Sequence, residues 1–178
     1  MSSDPRLAPH RLPVLVFVVF LLVIAGSAAV LFAVKVGPGP QAVAEYYRGA
    51  EARFVPAKSL DGLLLVAVPH LTAIPLVFFA AAHVVGFARA LGQGAFRALV
   101  ALSFASALAS VAAGFLVRFV TPGAAWLAIA AFAGLEVAVL AWAALLVAVF
   151  LPIRAARPGE ARPRQLLGGA PAGGGTRG

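Results

Sequence analysis

Four apolar stretches, each long enough to cross a lipid bilayer as a helix, decide most of what this chain can become. They run from Leu12 to Val34, Gly62 to Ala88, Ala98 to Val117 and Phe119 to Ile153, the last interrupted only by Glu136. A hydrocarbon core of about 30 Å takes roughly 20 helical residues. In lipid the backbone must satisfy its own polar groups, so apolar runs of this length fold as helices. Turn chemistry divides them: Gly37-Pro38-Gly39-Pro40 ends the first, Gly92 and Gly94 separate the second from the third, and Thr121-Pro122-Gly123 opens the fourth. The expected fold is all-α, an integral membrane four-helix bundle of up-down topology. Its transmembrane domain covers residues 1–154, with spans near 12–36, 62–88, 97–118 and 122–153.

Composition supports the bilayer as solvent. The chain is 62% hydrophobic and 11% charged, whereas a water-facing surface needs roughly a quarter charged residues. The net charge of +8 does not point to nucleic acid, because the basic residues flank the apolar runs and form no patch interleaved with aromatics. Cysteine is absent, which excludes disulfides, thiolate metal sites and covalent c-type haem attachment.

Lysine and arginine are retained on the cytoplasmic side during insertion. Nine of them (Arg6, Arg11, Arg89, Arg97, Arg154, Arg157, Arg162, Arg164 and Arg177) fall on one side of the four spans, against five (Lys35, Arg48, Arg53, Lys58 and Arg118) on the other. The expectation is a multi-pass protein of the cell inner membrane with both termini cytoplasmic. The first span reads as an uncleaved anchor: its apolar run continues past Gly26-Ser27-Ala28-Ala29 to Val34, longer than a signal h-region of about 7 to 15 residues. Residues 155–178, rich in Pro, Gly, Ala and Arg, read as a disordered cytoplasmic tail.

One sizeable loop, the 25 residues from Gly37 to Asp61, lies between the first two spans and is expected outside the cytoplasm. Gln41 to Ala52 reads as a short interfacial helix, with Tyr46, Tyr47 and Phe54 suited to the headgroup layer.

Ionisable residues inside a span are costly and mark candidate sites. The second span holds His70 and His83, 13 positions apart, or about 20 Å along a helix. That separation resembles the two haem ligands carried on one helix of the cytochrome b family, and it makes both histidines candidate ligands to haem iron. Cytochrome b spaces its pair at 14 or 15 residues, on nearly one face. Thirteen residues leave about 140° between them, an angle that Pro69 and Pro75 can alter by bending the helix. The other spans contain no histidine and the sole methionine is Met1, so a six-coordinate haem b needs a homodimer or a partner subunit. The alternative is that His70 hydrogen-bonds across the bundle while His83 sits near the headgroups. Glu136, at the middle of the fourth span, is expected to be protonated, paired or water-lining, with His70, His83, Ser103, Ser106 and Ser110 as available partners. Small residues at intervals of four, Ser106, Ser110 and Gly114 on the third span and Ala130, Gly134 and Ala138 on the fourth, form ridges that allow close helix approach.

Taken together, Glu45-Tyr46-Tyr47-Arg48-Gly49-Ala50-Glu51, Lys58-Ser59, His70-Leu71, Pro75 and His83 resemble a group of small bacterial four-helix inner-membrane proteins of unassigned function. These have a YYxGxE loop and a histidine-containing second helix. The resemblance covers about residues 41–90. It implies that loop and second helix act together, with Tyr46, Tyr47, Arg48, Glu51, Lys58, His70 and His83 as the matching positions; Val68 stands where some relatives have a further histidine. It implies no activity.

Three functions follow as alternatives: a haem b-binding or electron-transfer-associated subunit using His70 and His83, a structural or assembly subunit of a larger membrane complex without chemistry of its own, and a small proton or solute transporter using Glu136. No phosphate loop, nucleophile elbow, His-Glu-x-x-His pair or dinucleotide fingerprint is present.

Overall fold

The computed structural model describes residues 9–88 and 91–150. The tail expected at 155–178 lies outside them, as do Arg6, Arg89 and the C-terminal arginines. Five α-helices run in chain order: α1 (Arg11–Leu31), α2 (Pro40–Arg48), α3 (Leu60–Ala88), α4 (Gln93–Phe119) and α5 (Ala125–Phe150). Four stretches are long and apolar enough to cross a membrane: Arg11–Val36, Leu60–Phe87, Gln93–Phe119 and Pro122–Phe150. The chain is a multi-pass membrane protein. Among the described residues there is no strand, only an isolated antiparallel bridge between Ala50 and Val55.

The helix ends follow from local chemistry. A π-helical turn, Phe32–Val36, extends α1 until Gly37, whose φ of 88° no L side chain adopts readily. Pro40 opens α2, where its missing N–H is harmless. The hydroxyl of Ser59 accepts the Gly62 N–H at 3.1 Å at the start of α3, and Thr121 accepts the Gly123 N–H before α5. α3 runs through both Pro69 and Pro75 without a break in helical assignment.

Helix α5 is the centre of the packing, touching α1, α3 and α4, while α1 and α3 do not pack on each other among the described residues. Because lipid tails are as apolar as leucine, these contacts are held by close packing and interhelical hydrogen bonds. The core therefore combines many small residues with a few large ones. Ala81, Ala107, Ala138 and Ala143 surround Trp142, Phe78, Leu21 and Leu146. A Cβ built on Gly134 would lie 2.4 Å from the Ser106 Oγ, so a larger residue would force Ser106 to shift where α4 and α5 approach closely, as the small-residue spacing predicts. Phe32 stacks on Phe132 with ring centroids 4.1 Å apart and fixes the other flank of α5 against the end of α1.

Candidate functional site

The candidate residues fall into three groups that the fold keeps apart. The first caps one end of the molecule. There α2 packs on the C-terminal end of α4 and the start of α5, burying Val43 against Ala113, Val117, Ala125 and Ala128. The Tyr47 ring lies over Gly114, where an added Cβ would come within 3.1 Å of it, and meets Tyr46 edge to face at 5.0 Å. Burial first, and then the neighbouring Tyr46, push the Tyr47 phenol above its usual pKa.

Two arginines tie this cap down. Arg48 donates from Nη1 to the Val117 carbonyl at 3.3 Å, satisfying an acceptor near the C-terminus of α4, where a cation is favoured. Arg118 donates from Nε to the Lys58 carbonyl at 2.8 Å. Lys58 closes the strap by donating its N–H to the Tyr47 carbonyl at 3.0 Å and placing Nζ 4.4 Å from the Tyr46 ring centre. Gly49, at φ 85°, turns the chain: a Cβ there would meet the Ala57 nitrogen at 2.7 Å and the Val55 carbonyl oxygen at 2.8 Å. Glu45 pairs with Arg53 and accepts from Gln41 at 3.1 Å. Glu51 is exposed. The long-range contacts of this group hold the loop to α4 and to the start of α5, and α2 does not touch α3 among the described residues. The loop and the second long helix, which the resemblance expects to act together, are joined through Lys58-Ser59.

The second group is on α3. Both histidines are exposed on the outside of the packed helices. His70 Nδ1 lies 2.7 Å from the Val66 carbonyl. A carbonyl can only accept, so the proton of this bond belongs to Nδ1 and Nε2 is left as an outward acceptor. The cross-bundle bond that sequence reasoning allows for His70 is therefore absent, because its partner is one turn back on its own helix. His83 stacks on Phe79 and meets Phe87 edge to face, with centroid distances of 5.8 and 4.8 Å. No grouping of three or more His, Cys, Asp or Glu side chains suited to a metal occurs among the described residues. His10, at the start of α1, is on a helix that does not pack on α3.

The third group surrounds Glu136, which is half-buried on α5. Three of its five expected partners are engaged elsewhere: Ser103 with the Leu99 carbonyl and Trp142, Ser110 with the Ala107 carbonyl, His70 with Val66. Glu136 lies one helical turn further along α5 from Phe132, which stacks on Phe32 of the α1 extension. Among the described residues no hydrogen bond joins His70, His83 and Glu136.

Sequence reasoning missed the Trp142–Ser103 pair and the seat of Tyr47 on Gly114. An indole and a hydroxyl inside uncharged spans were the available signal for the first.

Residues 37–158 match the sequence profile of a transmembrane helical domain, Aq_1264_TM, over more than half of the chain. The chain belongs to the Aq_1264_TM family. The Aq_1264_TM match takes in α2 through α5 and begins where α1 ends, so the strapped loop belongs to the same unit as the three long helices that follow it. No curated protein and no solved structure matches the chain.

Proposed function

We propose that this protein is an inner-membrane subunit of a larger assembly, with its four spans alternating up and down, both termini cytoplasmic, the strapped loop outside, and α3 as the contact helix. The observation that carries this reading is His70. Residue 70 lies ten residues into α3, about 15 Å along it, deep in the apolar layer, and its exposed ring has no hydrogen-bond partner for Nε2 among the described residues. A bare acceptor in lipid is unfavourable, and buried polar groups there find partners on adjacent helices. Pro69 and Pro75 add to the demand, since each lacks the N–H that would reach the carbonyl four residues back, those of Leu65 and Leu71. The occupant that fits is a transmembrane helix of another subunit presenting a hydrogen-bond donor.

A photoactivatable benzophenone side chain at Leu71, exposed beside His70, tests this in native membranes. The expected result is a discrete cross-linked polypeptide that disappears with His70→Leu and is not produced from Leu22 on the exposed face of α1. Adducts with lipid alone, unaffected by His70→Leu, overturn it.

A second reading, haem b held between His70 and a ligand from another subunit, draws on the same bond: a histidine whose Nδ1–H is anchored to a carbonyl presents Nε2 as a ligand. It predicts a Soret band in the purified complex that His70→Leu removes. Transport through Glu136 has no such support.

A further inference from the structure

We propose that a recess between α3 and α4, beside His83, binds the head of a lipid-borne quinone: a flat ring bearing carbonyl groups on an apolar tail. The inference is independent of the assembly reading, because it concerns another residue and another part of α3. The recess has a volume of about 440 Å³, and Phe79, Phe87, Phe96 and Phe104 line it together with His83 and Gly86. Four phenyl rings and an imidazole give a flat ligand surfaces to stack on. Among the described residues the imidazole is the one titratable side chain in the lining, and a neutral imidazole can donate one hydrogen bond to a carbonyl.

The same lining argues against other membrane components. A phospholipid headgroup carries a phosphate that calls for cations or several donors, and among the described residues no charged side chain lines the recess. An acyl chain needs neither rings nor a donor. Position agrees: His83 is five residues from the end of α3 at Ala88, about 7 to 8 Å along the helix, so the ring would lie close to the membrane boundary with its tail free to run into the bilayer. Gly86 keeps the site open. A Cβ there would be in ordinary contact with Phe96, 3.6 Å from Cζ, and anything larger would fill the space where a ring would stack.

Trp142 reports on the site, because it packs edge to face on Phe96 with centroids 6.0 Å apart. The chain has two tryptophans, so Trp126→Phe leaves Trp142 as the sole emitter. The experiment titrates this full-length protein in detergent with a short-tailed benzoquinone and follows Trp142 quenching. Saturable quenching is expected, weakened about tenfold by His83→Leu, the order of one lost hydrogen bond. Partial recovery is expected with His83→Gln, which can still donate. Gly86→Phe should abolish saturation. Residues 83 and 86 are exposed, so helical content and dispersity of the variants should match the parent; if Gly86→Phe does not fold, the His83 pair decides alone. Quenching that rises without saturation, saturation unchanged in His83→Leu, or displacement by the alkyl tail without its ring would overturn the proposal.

Discussion

The indole N–H of Trp142 donates to the hydroxyl of Ser103 across the α4–α5 contact at 2.9 Å, and that hydroxyl donates to the Leu99 carbonyl at 2.7 Å. Trp142 and Ser103 are each 0% exposed, so the indole N–H depends on the serine hydroxyl for its partner. Ser103→Ala leaves the indole N–H unpaired in an apolar core and should lower stability by about 1 kcal/mol, between the membrane average of roughly 0.6 and the soluble-protein penalty of about 1–3 kcal/mol. Reversible unfolding in mixed micelles measures this; an unchanged midpoint would show that the bond does not hold the helices.

Gly134 and Ser106 should be energetically coupled. Gly134→Ala places a Cβ against the serine Oγ, so it should be more destabilising with Ser106 present than in a Ser106→Ala background. A double-mutant cycle should return a coupling of about 1 kcal/mol, within the range for residues in contact. Simple additivity would mean that α4 and α5 are farther apart than described.

These two contacts also show where sequence stops being informative. The four helices were legible because uncharged runs of bilayer length have no other fold in lipid, and the Ser106–Gly134 approach was legible because small residues recur every four positions. Which way each helix turns was not. Lipid-facing and core-facing positions of α5 are equally apolar, so nothing in its pattern shows that Trp142 points inward while Trp126 is exposed, and Ser103 read equally well as a partner for Glu136. In the loop, the turn at Gly49 and the basic residues were visible. Their targets were not, since the contacts of Arg48 with Val117 and Arg118 with Lys58 span 69 and 60 residues. Gly114 read as part of a helix ridge, yet a tyrosine ring covers it.

Gly49→Ala should loosen the strap. The new Cβ meets backbone atoms of residues 55 and 57, which cannot yield as a side chain can, at a φ that disfavours alanine. A cost of about 1–3 kcal/mol should appear as faster tryptic cleavage after Arg53 and Lys58, with the long helices intact. Equal cleavage rates would contradict the close turn.

Tyr47 should make stability fall in alkali. Its phenol is held above the ordinary tyrosine value of 10.0 by burial, so the unfolded chain loses this proton first. The contribution is therefore complete below about pH 10 and is lost as the pH climbs from there through the raised folded-state pKa. Only two tyrosines are present, so an absorbance titration of a Tyr46→Phe protein follows Tyr47 alone. It should titrate above pH 10 when folded and near 10 when denatured; equal midpoints would place the ring in water. Tyr47→Phe should flatten the alkaline loss of stability.

The measurement that tests the central claim most directly uses the absence of cysteine. A single cysteine at Phe54, 95% exposed at the loop tip, or at Gln93, exposed at the start of α4, is treated in intact cells with a membrane-impermeant maleimide. Labelling is expected at 54, with none at 93 until the membrane is permeabilised. Labelling at 93 but not 54, or at both in intact cells, would contradict four alternating spans with a cytoplasmic N-terminus.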